Sequence, residues 1–491
     1  MEPDIYVFVA DSLRADTATS DLLPFCNSVA DVRFDRAYAP GTWTLPVHAT
    51  LYSGECPTKH EITRRGDTVG PKETKIPEKA RDNGYETALF SENPTFSRKT
   101  GFDAGIDQVN DGIDQKPYRS TFSPTTAIDE ISPSAAIQLM VAVAKGSNTY
   151  RDLFNTFYAA FNRIRDIDSS SYPHHGDRVL NHLSDYIVSM DTPKLCFTNL
   201  LDTHNPHHAP PEIGAELLNV HISKKERELL SLANDNREYL LGDGELPEKT
   251  ERMFGDWETV FQRRYENYRC QARYVDKLLE NWAEENPHLW EESLVVVIGD
   301  HGQMFGEENM VGHQTSLHPA GIQIPMFINY PKSWPEAADT PAVVEKPVSL
   351  RGLSHGIQGV VDQSIDTRED FVQKVVDTRD IDQNIVSVVD GPTWSVDPLR
   401  EEEKFYNQKI DQVAVRKVGI IAQEYMTVYQ SQWDSNEIQS TTYELSNYDR
   451  TENPELEAHE IPESYKMWLQ RSPDNEISTE VNSRLKQLGY R

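Results

Sequence analysis

Positive charge is scarce in this chain. Its 48 lysines and arginines face 79 aspartates and glutamates over 491 residues, a formal net charge of −31. An excess of that sign excludes a non-specific grip on nucleic acid, whose phosphates must be met by cations, and adsorption to an anionic membrane surface. It fits a protein adapted to high salt, where self-repulsion is screened. Long apolar runs are missing too: no stretch approaches the roughly 18 apolar residues of a membrane span. The N-terminal segment carries no basic stretch, and Ile5–Ala10 leads straight into Asp11, so it reads as a strand and not as a signal peptide. Cysteine is rare. Cys26, Cys56, Cys196 and Cys270 stand far apart, which gives neither a disulfide framework nor the spacing of a zinc site. A cytoplasmic enzyme without a nucleic-acid or membrane partner is expected.

What is present begins with two apolar runs. Near the start, Ile5-Tyr-Val-Phe-Val-Ala10 ends at Asp11; far downstream, Leu294-Val-Val-Val-Ile-Gly299 ends at Asp300-His301-Gly302. Such runs, followed at once by acidic or imidazole groups, read as buried parallel strands that deliver ligands at their C-terminal ends. Two strands of one sheet would gather Asp11, Asp300 and His301 around a single divalent cation. Mixed oxygen and nitrogen ligation suits Mn, Zn or Mg better than a soft metal.

Between them lies Ala39-Pro-Gly-Thr-Trp-Thr44-Leu-Pro46-Val-His48-Ala-Thr-Leu-Tyr-Ser-Gly54. This segment resembles the sulfatase signature, in which a nucleophile is followed by Pro at the second position and Arg at the fourth, and then by a short helix. Together with Asp11 and Asp300-His301, the chain resembles a sulfatase-type member of the alkaline phosphatase superfamily. The resemblance implies an α/β fold: a central, mostly parallel sheet flanked by helices, plus a small C-terminal antiparallel sheet. It implies one divalent metal ion (Mn, Zn, Mg or Ca) held by Asp11, Asp300 and His301, with Thr44 as nucleophile completing the shell.

Two departures from the pattern bear on chemistry. The family's second N-terminal Asp is Ser12 here, which leaves three protein ligands plus the nucleophile. The position that is Cys in most sulfatases is Thr44. That Cys is oxidised to formylglycine; a threonine carries a methyl group on Cβ and cannot become an aldehyde, but it can attack directly. This moves the expectation toward phosphodiester, phosphomonoester or phosphonate substrates over sulfate esters. Cys56 fails the formylglycine pattern, because its Pro is adjacent. His48 stands where the family has Arg, as a donor whose charge titrates near neutrality; as a local helix cap it would have no catalytic part. His204, in Asp202-Thr-His204-Asn-Pro, resembles the family's D-x-H-x-P motif, and His313 lies where sulfatases have Lys or His near the leaving group. Both are expected as donors or general acids. Asn93, after the strand-like 85–90, is a weaker candidate. His207 and His208 are expected at the entrance or in solvent, His174-His175 in an exposed loop, and His318 has no assigned role.

Along the chain, βα units fill roughly the first 110 residues. A helical insertion or lid is expected at about 110–190, with helices near 135–145 and 150–165. A strand is read at 194–201, a helix at 265–285 from its apolar face, a strand at 323–330, and a closing strand–helix element at 348–361. From about 385 the pattern becomes alternating strands at 384–389, 412–418, 425–430 and 441–445. The stretch around Tyr443-Glu-Leu445 to Pro454-Glu resembles the C-terminal segment of the family. A catalytic α/β domain over 1–375 and a smaller α+β subdomain over 376–491 are therefore expected. The leading reading is a metal-dependent hydrolase of small-molecule or glycan esters. Its alternatives are a transferase passing the phospho-group to an acceptor hydroxyl, and an inactive binding protein on the same fold. Sequence leaves the oligomeric state and the leaving group open.

Overall fold

The computed structural model describes residues 2–111 and 176–187 and, with interruptions, 192–230, 246–391 and 414–471. The helices expected near 135–145 and 150–165, most of the expected insertion, His174-His175 and His208 lie outside them. All the described residues belong to one compact unit.

Strands β1 (Ile5–Ala10), β2 (Val32–Tyr38), β3 (Glu86–Ser91), β4 (Gln108–Asn110), β5 (Lys194–Leu200) and β6 (Leu294–Gly299) come first. A small hairpin follows, β7 (Met304–Phe305) and β8 (Val311–Gly312). Then β9 (Gln323–Asn329), β10 (Val343–Val344) and β11 (Val348–Ser349) return to the large sheet. Its order is β10-β2-β9-β6-β1-β5-β3-β4, with β11 also on β2. Every pairing is parallel except those of β9, which runs antiparallel to both β2 and β6. The mostly parallel sheet expected from sequence is thus present.

Burial on both faces explains the unbroken apolar runs. All six residues of β1 are buried, and so are all six of β6. Helices α1 (Pro24–Val29), α2 (Thr44–Ser53), α3 (Lys75–Asp82), α4 (Gly176–Ile187) and α5 (Trp257–Glu285) cover the faces, joined later by α6 (Leu350–Val361) and α7 (Arg368–Asp377). Val7, Val9 and Phe197 pack with Leu51 and Tyr52 of α2 and Leu353 of α6 on one side. Tyr6, Phe8 and Cys196 pack with Leu183 of α4 and Leu279 and Trp282 of α5 on the other. Helix α5 starts eight residues before the expected position, because Asp256 caps it by accepting a 2.8 Å bond from the Thr259 amide.

The second sheet is antiparallel in the order β12-β13-β14-β15-β16: Ile385–Asp390, Val415–Ile421, Tyr425–Gln432, Gln439–Ser446 and Asp449–Glu452. Four of these strands match the alternating segments. The fifth, Asp-Arg-Thr-Glu, is half or fully exposed throughout and offers no apolar pattern to read. No helix among the described residues is long and apolar enough to cross a membrane.

Candidate active site

The two strands with terminal acidic groups are direct neighbours, with Ala10 opposite Gly299. Asp11 and Asp300 therefore emerge side by side at the C-terminal edge of the sheet. Carboxylate oxygens of both and a ring nitrogen of His301 lie within 4.8 Å of one another, all buried. His301 uses Nδ1–H on the Gly302 carbonyl at 2.9 Å, which turns the Nε2 lone pair to the carboxylates. Asp300 Oδ1 accepts from the Ser12 and His301 amides at 2.9 and 2.8 Å. Its Oδ2 is buried and accepts no hydrogen bond among the described residues.

Burial pushes the Asp300 carboxyl well above its ordinary range, and the charge of Asp11 adds to this against the two amides. Burial also works to raise Asp11, but the imidazoles of His204, His301 and His48 and the Asn93 amide bring it below its ordinary value. Two buried carboxylates this close cannot both ionise without a cation between them. The unsatisfied Asp300 oxygen, the freed His301 nitrogen and the mixed O/N donors fit one divalent metal ion.

Thr44 meets this group from helix α2, of which it is the first residue. Its Oγ1 donates to Asp11 Oδ2 at 3.3 Å and lies 3.5 Å from His301 Nε2. The helix ends as the sequence implied: Gly54 takes the left-handed conformation at φ 70°, and its amide bonds the Thr50 carbonyl. The loop ahead of Thr44 is strapped to the small sheet. Ser387 Oγ donates to the Ala39 carbonyl at 2.5 Å, and the Val388 amide to the Pro40 carbonyl at 3.0 Å.

Around this centre the expected residues take different positions. His204 and His313 come together, with ring centroids 5.6 Å apart, and the His313 ring lies 4.4 Å from that of His301. His48 is buried against Phe96, ring to ring at 4.0 Å, and its Nδ1–H donates to the Thr44 carbonyl at 2.9 Å. Burial lowers its pKa to about 4, against that hydrogen bond. His48 is thus a neutral imidazole held by its own helix.

Asn93 is far more central than its sequence signal. Its Nδ2 donates to Asp11 Oδ2 at 2.6 Å and lies 3.3 Å from Thr44 Oγ1, while Thr95 holds its Oδ1 through an amide at 2.8 Å. A lone Asn after a strand carries no periodicity, so only the sheet order, with β5 between β1 and β3, shows its place. Ser12, at φ 65°, clamps both carboxylates: its amide reaches Asp300, and its hydroxyl donates to Asp11 Oδ1 at 3.1 Å. Its carbonyl accepts from the Tyr268 hydroxyl at 2.8 Å. Tyr268 reads in sequence as one apolar member of a helix face, and nothing in that pattern marks its hydroxyl. His207 is buried, not at an entrance: it pairs with Gln271 at 3.0 Å and packs on Tyr268 and Phe305. His318 caps a short turn through the Ala320 amide and pairs with Asp449 at 2.9 Å, a structural role.

The family model described as sulfatase matches residues 4–362, from the first strand through helix α6. The chain belongs to the sulfatase family. With membership comes the class of activity, hydrolysis of sulfuric or phosphoric esters. No curated protein matches the chain. Among solved structures it is similar to a phosphonate monoester hydrolase of Agrobacterium radiobacter, at 14% identity and a TM-score of 0.57 over 99% of this chain and 94% of that one. It is similar to a second phosphonate monoester hydrolase, from Silicibacter pomeroyi, at 15% identity and a TM-score of 0.57 over 90% and 89%. The protein BT4656, solved with its substrate D-glucosamine-2-N,6-O-disulfate, matches at 14% identity and a TM-score of 0.54 over 90% and 91%. At such identities these structures establish the sulfatase fold, in agreement with the two sheets described above.

Proposed function

We propose that this sulfatase-family chain hydrolyses phosphorus esters (phosphodiesters, phosphomonoesters or phosphonates) ahead of sulfate esters, with Thr44 Oγ1 as the attacking atom. The observation that carries the reading is the place of that hydroxyl, within 3.5 Å of Asp11, Asn93 and His301 on a residue whose Cβ methyl bars formation of an aldehyde. Asp11, Asp300 and His301 would hold one divalent ion, of the Mn, Zn, Mg or Ca class. When bound, that ion supplies positive charge to the nucleophile and to the oxygens of the transferred group. The remaining work falls to the chain itself. Asp11 Oδ2 accepts the Thr44 hydroxyl hydrogen, and the Asn93 amide is a donor facing the same oxygen. Thr44 sits at the N-terminus of α2, the end of a helix that favours negative charge. His48 holds the Thr44 carbonyl and so fixes the first turn; its part is position, not charge. His204 and His313 flank the pair and serve the proton of the leaving oxygen. The P–O bond to the leaving group breaks as the bond from Thr44 forms, and water then cleaves the phosphothreonine ester. Phosphorus chemistry runs on this same fold in the two phosphonate monoester hydrolases. The formal charge of −31 supports a working environment of high ionic strength.

The test compares bis-p-nitrophenyl phosphate, p-nitrophenyl phosphate, p-nitrophenyl phenylphosphonate and p-nitrophenyl sulfate at high salt with Mn²⁺, Zn²⁺, Mg²⁺ or Ca²⁺. Turnover of a phosphorus ester is expected, falling by about 10³-fold or more in Thr44→Ala while bound metal, read by elemental analysis, stays the same. Turnover of the sulfate ester alone would sink this reading.

A further inference from the structure

The chain that leaves the metal ligands turns at once into a small hairpin, and this links two parts of the site. Strands β7 and β8 pair Met304 with Gly312 and Phe305 with Val311. One step further toward the open end, Gln303 stands opposite His313. Directly opposed residues of an antiparallel pair share a face, and here the side chains meet: Gln303 Oε1 accepts from His313 Nδ1–H at 2.9 Å.

Gln303 is unusually well fixed for a residue outside a long element. Its amide donates to the Ala320 carbonyl at 3.0 Å. Its own carbonyl accepts from Arg14 Nη1 at 2.8 Å. Arg14 is anchored in turn by Asp16 and Glu307, at 2.6 and 2.7 Å. The preceding Gly302 lets this happen: a Cβ there would meet the Ala320 carbonyl oxygen at 1.9 Å. The Gln303 side chain is fully buried, and its Nε2 meets no acceptor among the described residues, so the side chain's hydrogen bond there is the one from His313 to Oε1.

We propose that Gln303 is the positioning residue of His313: the buried amide oxygen fixes the imidazole as its Nδ1–H tautomer, so that Nε2 is the ring atom that takes up a proton and passes it to the leaving oxygen. The tautomer of a working histidine is set by the hydrogen bond its other nitrogen makes. His301 is held by the same device, through the Gly302 carbonyl one residue earlier in the chain. Consecutive residues 302 and 303 thus set the tautomers of a metal-binding and a proton-handling histidine, and the two rings are kept in register by one rigid segment. A leucine or methionine at 303 would leave the His313 ring free to rotate and to exchange tautomers. The catalytic meaning rests on the role given above to His313; the tautomer itself does not.

The experiment uses the full chain with ¹⁵N-labelled histidine. The His313 resonances are assigned by their loss in His313→Ala and read in wild type and in Gln303→Met. The Nδ1–H tautomer in wild type, giving way to a mixture in Gln303→Met, is the expected result; an Nε2–H tautomer in wild type would overturn the proposal, because the amide NH₂ would then face the ring. In turnover of bis-p-nitrophenyl phosphate, Gln303→Met should lose roughly 10–100-fold in kcat, the usual cost of an outer-shell partner. KM and bound metal should be little changed, and Gln303→Glu, which keeps an acceptor oxygen, should recover much of the loss. In a His313→Ala background the Gln303→Met substitution should add nothing. Additive losses, or loss of bound metal in Gln303→Met, would show that Gln303 acts elsewhere. If His313→Ala kept full activity while the tautomer result held, the role of His313 would fall and the positioning by Gln303 would stand.

Discussion

The centre of this site is a small set of polar atoms that share few partners, and each is exposed to single substitutions. Asn93 holds both Asp11 and Thr44 through one nitrogen, at 2.6 and 3.3 Å. In the proposed attack by Thr44, replacing it with alanine would remove a donor aimed at the oxygen where charge develops, and such donors are worth roughly 10²–10³ in kcat. Asn93→Ala should therefore lower kcat on a phosphorus ester by that order, with KM nearly constant; a variant within threefold of wild type would show that the contact is structural only. A second residue-scale consequence concerns His60. Its Nδ1 accepts from the Ile62 amide at 3.0 Å, so Nε2 carries the hydrogen, 3.1 Å from Thr50 Oγ1. Burial lowers its pKa from 6.5 to about 3. The unfolded chain then binds a proton below pH 6.5 that the folded chain refuses, so stability falls as pH drops from 6.5 toward 3. For this group the slope is at most about 1.4 kcal/mol per pH unit. Urea midpoints at pH 7 and 5 should converge in His60→Asn relative to wild type; parallel curves would contradict the assignment.

Among the elements, the small sheet does more than close the fold. Its strand β12 is tied to the loop that carries Thr44 through Ser387 and Val388, with Gly41 bridging to Val388. Ser387 is fully buried, and so is Ala39, whose carbonyl it satisfies. Ser387→Ala leaves that carbonyl without its partner, a cost of about 1–3 kcal/mol in unfolding free energy. Because the loop leads directly into α2, the same variant should lower kcat several-fold with metal content unchanged. Denaturant unfolding and steady-state kinetics on one preparation read both; lost stability with full kcat would confine the strap to folding. The long helix α5 shows the same layering of roles. Its apolar face packs on β1, while Tyr268 on that face reaches the Ser12 carbonyl and so the loop that begins at Asp11.

At the scale of the whole molecule, charge dominates. A formal charge of −31 repels itself over the surface, and the range of that repulsion shrinks from a Debye length of about 10 Å at 0.1 M salt to about 3 Å at 1 M. Raising KCl from 0.1 to 2 M should increase the melting temperature by at least about 5 °C, with activity rising in parallel. An unchanged or falling melting temperature would mark an ordinary acidic enzyme.

The sequence by itself determined β1 and β6 to the residue, from their unbroken apolar runs, and four strands of the small sheet, from their alternation; α2 with its Gly54 end was legible through the resemblance of its segment to the sulfatase signature. It also pointed to the sheet edge for Asp11, Asp300 and His301, which follow apolar runs, whereas Thr44 was legible only through the resemblance of its segment to the sulfatase signature. It did not determine which polar side chains complete the site. Asn93, Ser12 and Gln303 have no periodicity, and the period that includes Tyr268 says nothing of its hydroxyl; they matter because β1 lies between β5 and β6, with β3 next to β5, and because a hairpin of two-residue strands turns His313 back on His301. His207 shows the converse, a histidine beside a site motif that packing takes into the core. Periodicity records burial along one segment, whereas a hydrogen bond between distant segments is fixed only when tertiary packing brings both partners within about 3 Å.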